Sequence, residues 1–150
     1  MTDLFDALRE SHEVQRALCR RLVRQHSNAD RTRVLSELWR ELEAHAAAEE
    51  RALYATILMD DRGLSSARHA LHEHHEIEEA IEDVRVKNKS TEAWAAAARE
   101  LSHLVHHHLH EEEHGFFQVA GTILSKTAKT KLAAKYRREL AHMKKQLAEE

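Results

Sequence analysis

The sequence predicts an all-α protein: an up-down-up-down antiparallel four-helix bundle with an additional C-terminal helix. Three observations carry this prediction. The 150 residues include no Pro and only three Gly, and Ala, Leu, Glu, Arg and Lys dominate, so helix breakers are nearly absent. Apolar residues recur at three- and four-residue spacing through four long segments. The polar stretches between them are short, and short connections make consecutive helices pack antiparallel. A chain of this length fits one domain, with the bundle at about 3–120 and the C-terminal helix at about 126–148.

The first helix is expected from Asp3 to about Gln25, with Thr2 as N-cap and Phe5, Leu8, His12, Cys19 and Leu22 on one stripe. The polar run HSNAD, residues 26–30, reads as a loop with Asn28 or Asp30 capping the next helix. That second helix runs from near Arg31 to near Asp60. Its buried stripe is Leu35, Leu38, Leu42, His45, Glu49 and Ala52 or Leu53. The run MDDRGLSS ends it, and a third helix starts at Ser65 or Ser66. The stripe Ala67, Ala70, His74, Ile77, Ile81 and Val84 selects His74 as the inward histidine, with His75 at the boundary as the reserve and His69 and His72 outside.

The run KNKST closes the third helix, and Ser90 or Thr91 caps a fourth that starts at Glu92. Here Leu101, Leu104, Val105, His108, Leu109, Glu112 and Phe116 share one face. His103, His107, His110 and His114 form a separate row that faces solvent rather than metal, with a second, adventitious metal site as the lesser reading. Gly121 is a candidate helix end. The final helix starts near Lys126, and its apolar Leu132, Tyr136, Leu140, Met143 and Leu147 lie at amphipathic spacing, so it is expected to dock on the bundle.

Composition excludes several classes. The net charge of −3 comes from interspersed acids and bases, which leaves no extended surface of one sign for nucleic acid or membrane apart from the basic run Lys126 to Lys145, read as the solvated face of a docked helix rather than a nucleic-acid surface. No apolar run approaches the roughly 20 residues of a membrane span. Asp3, Asp6, Arg9 and Glu10 interrupt any apolar leader, and a lone Cys19 cannot form an internal disulfide, so a reducing cytoplasm is the expected location.

The outlier is histidine, at 14 of 150 residues, which points to metal binding or proton handling. His12 alone is more often a hydrogen-bonded core histidine than a ligand. Yet each of the four stripes carries such a residue: His12, His45 with Glu49, His74, and His108 with Glu112. Burying four imidazoles and two carboxylates in apolar stripes costs several kcal/mol per group unless something pairs with them, and a metal ion does so. A His and a Glu four residues apart lie one turn apart, close enough to ligate one ion or to bridge two.

These segments resemble the hemerythrin-like, HHE cation-binding family. The resemblance spans roughly residues 4–117 and rests on RESHEVQR, LEAHAAAEERALY, HEHHEIEEAI and HHHLHEEEHGFF. It is most specific in helices two and four, where His-x-x-x-Glu-Glu is followed by an aromatic within four residues. It implies two non-haem iron ions joined by an oxo, hydroxo or peroxo bridge. His12, His45, His74 and His108 would be terminal ligands, and Glu49 and Glu112 would bridge the irons. Two features depart from the family. A second helix-three histidine is missing, with Glu78 following His74 and Glu79 following His75, so that Glu78, His75, Tyr54 or water are the candidates for the remaining position. Gln118, not Pro, follows Phe117, so the fourth helix is expected to run on.

The function implied is binding, sensing or scavenging of O₂ or a related small oxidant, peroxide or NO. The alternative is a di-iron enzyme with catalase- or peroxidase-like activity, motivated by the incomplete helix-three motif. A non-redox metal buffer or a phosphotransfer bundle using His107 is disfavoured, because the Lys and Gly that follow a phosphotransfer histidine are absent. A ferritin-like site would use Glu-x-x-His, present as Glu100/His103 and Glu111/His114 but absent from helix two.

Overall fold

Capping side chains set the helix boundaries in the computed structural model, which describes residues 3–149. Helix α1 (Leu4–Val23) starts at a capping box in which Asp3 accepts from the Asp6 amide and Asp6 accepts from the Asp3 amide. The expected cap, Thr2, lies outside the described residues. Helix α2 (Asn28–Glu49) begins three residues earlier than the sequence suggested. Ser27, rather than Asn28 or Asp30, is its cap, because the Ser27 hydroxyl accepts from the Asp30 amide at 3.1 Å. The rod then passes through a π turn, Glu50–Tyr54, into the short α3 (Ala55–Leu58).

Helix α4 (Leu64–Val86) follows Gly63, which caps it without any side-chain bond, so Ser65 and Ser66 fall inside the first turn. Space rather than backbone conformation requires that glycine. A Cβ at Gly63 would lie 2.2 Å from the Ile57 methyl Cγ2, and Ile57 is fully buried. Gly63→Ala is therefore expected to cost about 1–3 kcal/mol through overpacking, read as a lower midpoint in urea unfolding.

Helix α5 (Glu92–Glu111) takes its cap from Thr91, one of the two expected, whose hydroxyl accepts from the Trp94 amide. A second π turn, Glu112–Phe116, leads into α6 (Phe117–Ile123). Gly121 lies inside α6, and the helix stops only when Leu124 turns extended. Helix α7 (Lys126–Ala148) starts from Ser125 and lies along α1 and α2, burying Ala133, Tyr136 and Leu147. Its docking is as expected from its amphipathic pattern. Among the described residues no helix is long and apolar enough to cross a membrane.

Helix α1 packs on α2 and α5, and α5 packs on α4, which gives the expected helical bundle. Its apolar interior is split in two. One cluster gathers Leu4, Leu8, Ala52, Ile57, Ala67, Phe116, Phe117 and Tyr136. The other gathers Leu18, Leu22, Leu38, Ile81, Trp94, Leu101 and Val105, together with the buried Cys19, whose thiol burial pushes up to about 12. Along α1, through α2 into α3, along α4, and through α5 into α6 the chain passes between the two clusters, and His12, His45, Glu49, His74, His108 and Glu112 lie at the crossings. A polar layer thus spans the bundle between two apolar halves.

Candidate metal centre

The two π turns aim the residues that follow the His-x-x-x-Glu motifs. A π turn inserts one extra residue, so the fifth residue after Glu49, not the third or fourth, returns to its face. That residue is Tyr54, whose hydroxyl lies 3.0 Å from Glu49 Oε1 and 3.2 Å from His74 Nε2 and donates to Glu112 as well. The equivalent residue after Glu112 is Phe117, which stacks on the His12 ring with centroids 5.8 Å apart.

All six candidate ligands meet. His12, His45, Glu49 and Glu112 form one group and Glu49, His74, His108 and Glu112 another, each with its ligand atoms within 4.8 Å of one another. Glu49 and Glu112 belong to both. Glu49 Oε1 is 3.2 Å from Nε2 of His45 and of His74, while Glu112 lies 3.2 Å from His12 Nε2 and 3.5 Å from His108 Nε2. Each carboxylate therefore touches one imidazole of either group.

Each ring is also held from behind. Nδ1 of His12 faces Glu113 at 2.7 Å, His45 faces the Tyr136 hydroxyl at 2.7 Å, and His74 and His108 face Glu50 and Glu73 at 3.0 Å. Glu113 is fixed in turn by Arg16 at 2.6 Å, and Tyr136 by Ser11 at 2.6 Å. A proton held on Nδ1 leaves the Nε2 lone pair pointing inward, which is the arrangement of a metal-binding histidine.

The inward atoms are short of partners. Nε2 of His12, His45 and His108, with Glu49 Oε2 and Glu112 Oε1, are buried without any hydrogen bond. Buried polar atoms are normally paired, so this concentration in one layer marks a place built for something else. Four imidazole nitrogens and two carboxylates make up a donor set that fits transition-metal ions.

The electrostatics agree. Burial lowers an imidazole, yet Glu112 and Glu113 outweigh it at His12, raised to about 9, and Glu49 and Glu50 outweigh it at His74, raised to about 10. At His45 burial wins and pushes the ring down to about 4. Burial and then the neighbouring Glu49 charge raise the Glu112 carboxyl, while His45 and hydrogen bonds hold Glu49 well below the usual range in spite of its burial. The layer attracts positive charge at both ends.

The other sequence candidates lie elsewhere. His75 is exposed and ion-paired with Glu79 at 2.6 Å, and Glu78 is exposed, so of the proposed fillers only the Tyr54 side chain reaches the layer. His103, His107, His110 and His114 are exposed as expected, and Glu100 is exposed too. Sequence reasoning missed Glu50, Glu73, Glu113 and Tyr136. The first three adjoin candidate ligands, and the doubled Glu of His-x-x-x-Glu-Glu was a usable signal. Nothing in the spacing pointed to Tyr136, which arrives on α7 from 91 residues after His45.

The profile of the Hemerythrin HHE cation binding domain matches residues 3–120. The chain belongs to the hemerythrin HHE family. This HHE domain is therefore a metal-binding helical bundle, and its His/Glu clusters are able to hold metal. Its fold is similar to the crystal structure of a hemerythrin HHE cation binding domain-containing protein from Mycobacterium kansasii, with a TM-score of 0.87 over 97% of this chain and 90% of that one. At 17% identity this likeness is one of fold. No curated protein matches the chain.

Proposed function

We propose that this HHE domain holds two non-haem irons and binds, senses or scavenges O₂ or a related small oxidant. His12 and His45 would serve one ion, His74 and His108 the other, and Glu49 and Glu112 both. The observation that supports this most is that the two donor groups share two carboxylates, the arrangement needed to keep two cations together in a buried place. When bound, a pair of ferrous ions supplies two electrons to one small oxidant.

The chain's own residues do the rest. A cleft of about 640 Å³ between α4 and α5 reaches His108 and Glu112, so a small molecule approaches on that side. Phe117, buried and stacked on the His12 ring, covers the layer at its His12 end, while Phe116 lines the cleft itself. Burial and then Glu112 and Glu49 hold the Tyr54 phenol well above its usual range, so it keeps its proton and offers it at Oη beside His74 and Glu112. Glu112, raised by burial, is a second place to hold a proton. The Nδ1 partners fix the imidazoles and leave Nε2 free for the ions.

Metal analysis with visible spectra of the reduced and oxidised chain tests the proposal. Two irons per chain and an absorption that changes on adding O₂ to the anaerobically reduced protein are expected. A colourless protein without iron would sink it.

A second reading, disproportionation of two H₂O₂ to two H₂O and O₂, is favoured by the Tyr54 hydroxyl, which donates to Glu112, one of the buried residues that the cleft reaches. It expects rapid oxygen evolution from peroxide that His74→Ala abolishes. Turnover no faster than free iron would argue against it.

A further inference from the structure

The cleft between α4 and α5 has donor chemistry at its mouth as well as at its floor. Helix α4 carries three His–Glu ion pairs at four-residue spacing, His69/Glu73, His72/Glu76 and His75/Glu79. The second and third stay within their own helix, where such pairs are ordinary helix-stabilising contacts. The first meets a counterpart on α5, His107 with Glu111.

Because α4 and α5 run antiparallel, each histidine lies against the carboxylate of the other helix as well as its own. His69 Nε2 is 3.6 Å from Glu73 and 3.1 Å from Glu111, and His107 Nε2 is 3.7 Å from Glu73 and 3.1 Å from Glu111. An ion pair is satisfied by one partner, and here all four groups reach two. Ligands at about 2.1 Å around a tetrahedral cation lie about 3.4 Å apart, and the four His–Glu separations straddle that value. We propose that His69, Glu73 and Glu111, whose ligand atoms all lie within 4.8 Å of one another, form a second divalent-cation site at the mouth of the cleft, with His107 beside both carboxylates as its fourth donor, suited to a first-row metal ion.

Its place relative to the buried layer gives it a use. Glu73 turns Oε2 to this quartet and Oε1 to His108 Nδ1 at 3.0 Å, so a single carboxylate links the two. His69, Glu73 and Glu111 line the outside of the same cleft whose floor is His108 and Glu112. A cation captured at the mouth stands one carboxylate from the buried donors.

Calorimetric titration with Co²⁺ tests the site on the full chain, His69→Ala/His107→Ala, and the control His72→Ala/His75→Ala. All four histidines are more than half exposed, so both variants keep the fold. The full chain and the control are expected to bind one more Co²⁺ per chain than His69→Ala/His107→Ala. Equal stoichiometry in all three, or an equal loss in the control, overturns the site. Because the result is a difference between variants, it can be read whether or not the buried layer carries iron, which elemental analysis of the same samples reports separately.

Discussion

Glu112→Gln is expected to abolish retention of both metal ions, whereas His74→Ala or His12→Ala loses chiefly one. The asymmetry follows from geometry, since Glu112 lies 3.2 Å from His12 Nε2 and 3.5 Å from His108 Nε2, one imidazole from each donor group. Glutamine keeps the volume and removes the negative charge that two cations share. The loss should exceed the roughly 10–100-fold that removal of an outer hydrogen-bonding partner costs. Folding of the metal-free chain should survive, because burial and Glu49 already raise the Glu112 carboxyl and an uncharged amide costs less to bury. Two measurements separate these effects. Elemental analysis is expected to give two ions in the parent and close to none in the variant. Thermal unfolding with added metal should show stabilisation of the parent by about 2.7 kcal/mol per site at a metal concentration of one hundred dissociation constants, and none of the variant. Retention of two ions by Glu112→Gln would mean that the carboxylate does not bridge.

Much of this layer was legible in the sequence because its signal is local. His45 and Glu49, like His108 and Glu112, stand where the stripe of a single helix calls for leucine, and period alone exposes them. His12 and His74 needed the other helices, since one polar residue on an apolar face is unremarkable until four faces carry one. The π turns broke the reading where they occur. A regular period put Ala52 or Leu53 after Glu49, but the extra residue in Glu50–Tyr54 brings Tyr54 round, and no propensity marks a π turn. Cap positions shifted by a residue or three because Asp3, Ser27 and Gly63 compete with equally plausible neighbours, and the fold chooses between them. The grouping at the cleft mouth was hidden for another reason, although His107 belonged to a row that offered a lesser, adventitious metal reading. His69 and His107 each look like solvent-facing residues on their own helix, and only the packing of α4 on α5 brings them to common partners.

Tyr136→Phe is expected to weaken metal binding at the His12/His45 end by about 10–100-fold, although Tyr136 lies beyond the residues that match the family profile. The phenol oxygen sits 2.7 Å from His45 Nδ1 and 2.6 Å from Ser11 Oγ, so when His45 binds metal through Nε2 it accepts a hydrogen bond from the Nδ1–H and donates its own to the serine. Without it His45 keeps no fixed tautomer, and a buried nitrogen and hydroxyl lose their partner, which costs about 1–3 kcal/mol of stability. The phenyl ring still fills its place beside His45, so packing is preserved. Leu147→Ala is the control. Leu147 is buried near the far end of the same helix, and its truncation should cost about 2–5 kcal/mol while leaving metal affinity unchanged. Competition with a chelator should then release one ion early from Tyr136→Phe and neither from Leu147→Ala. If Tyr136→Phe loses stability and keeps its affinity, α7 is a packing element and nothing more. If affinity falls while Leu147→Ala keeps it, α7 is a working wall of the centre, which the bundle of four helices leaves incomplete behind His45.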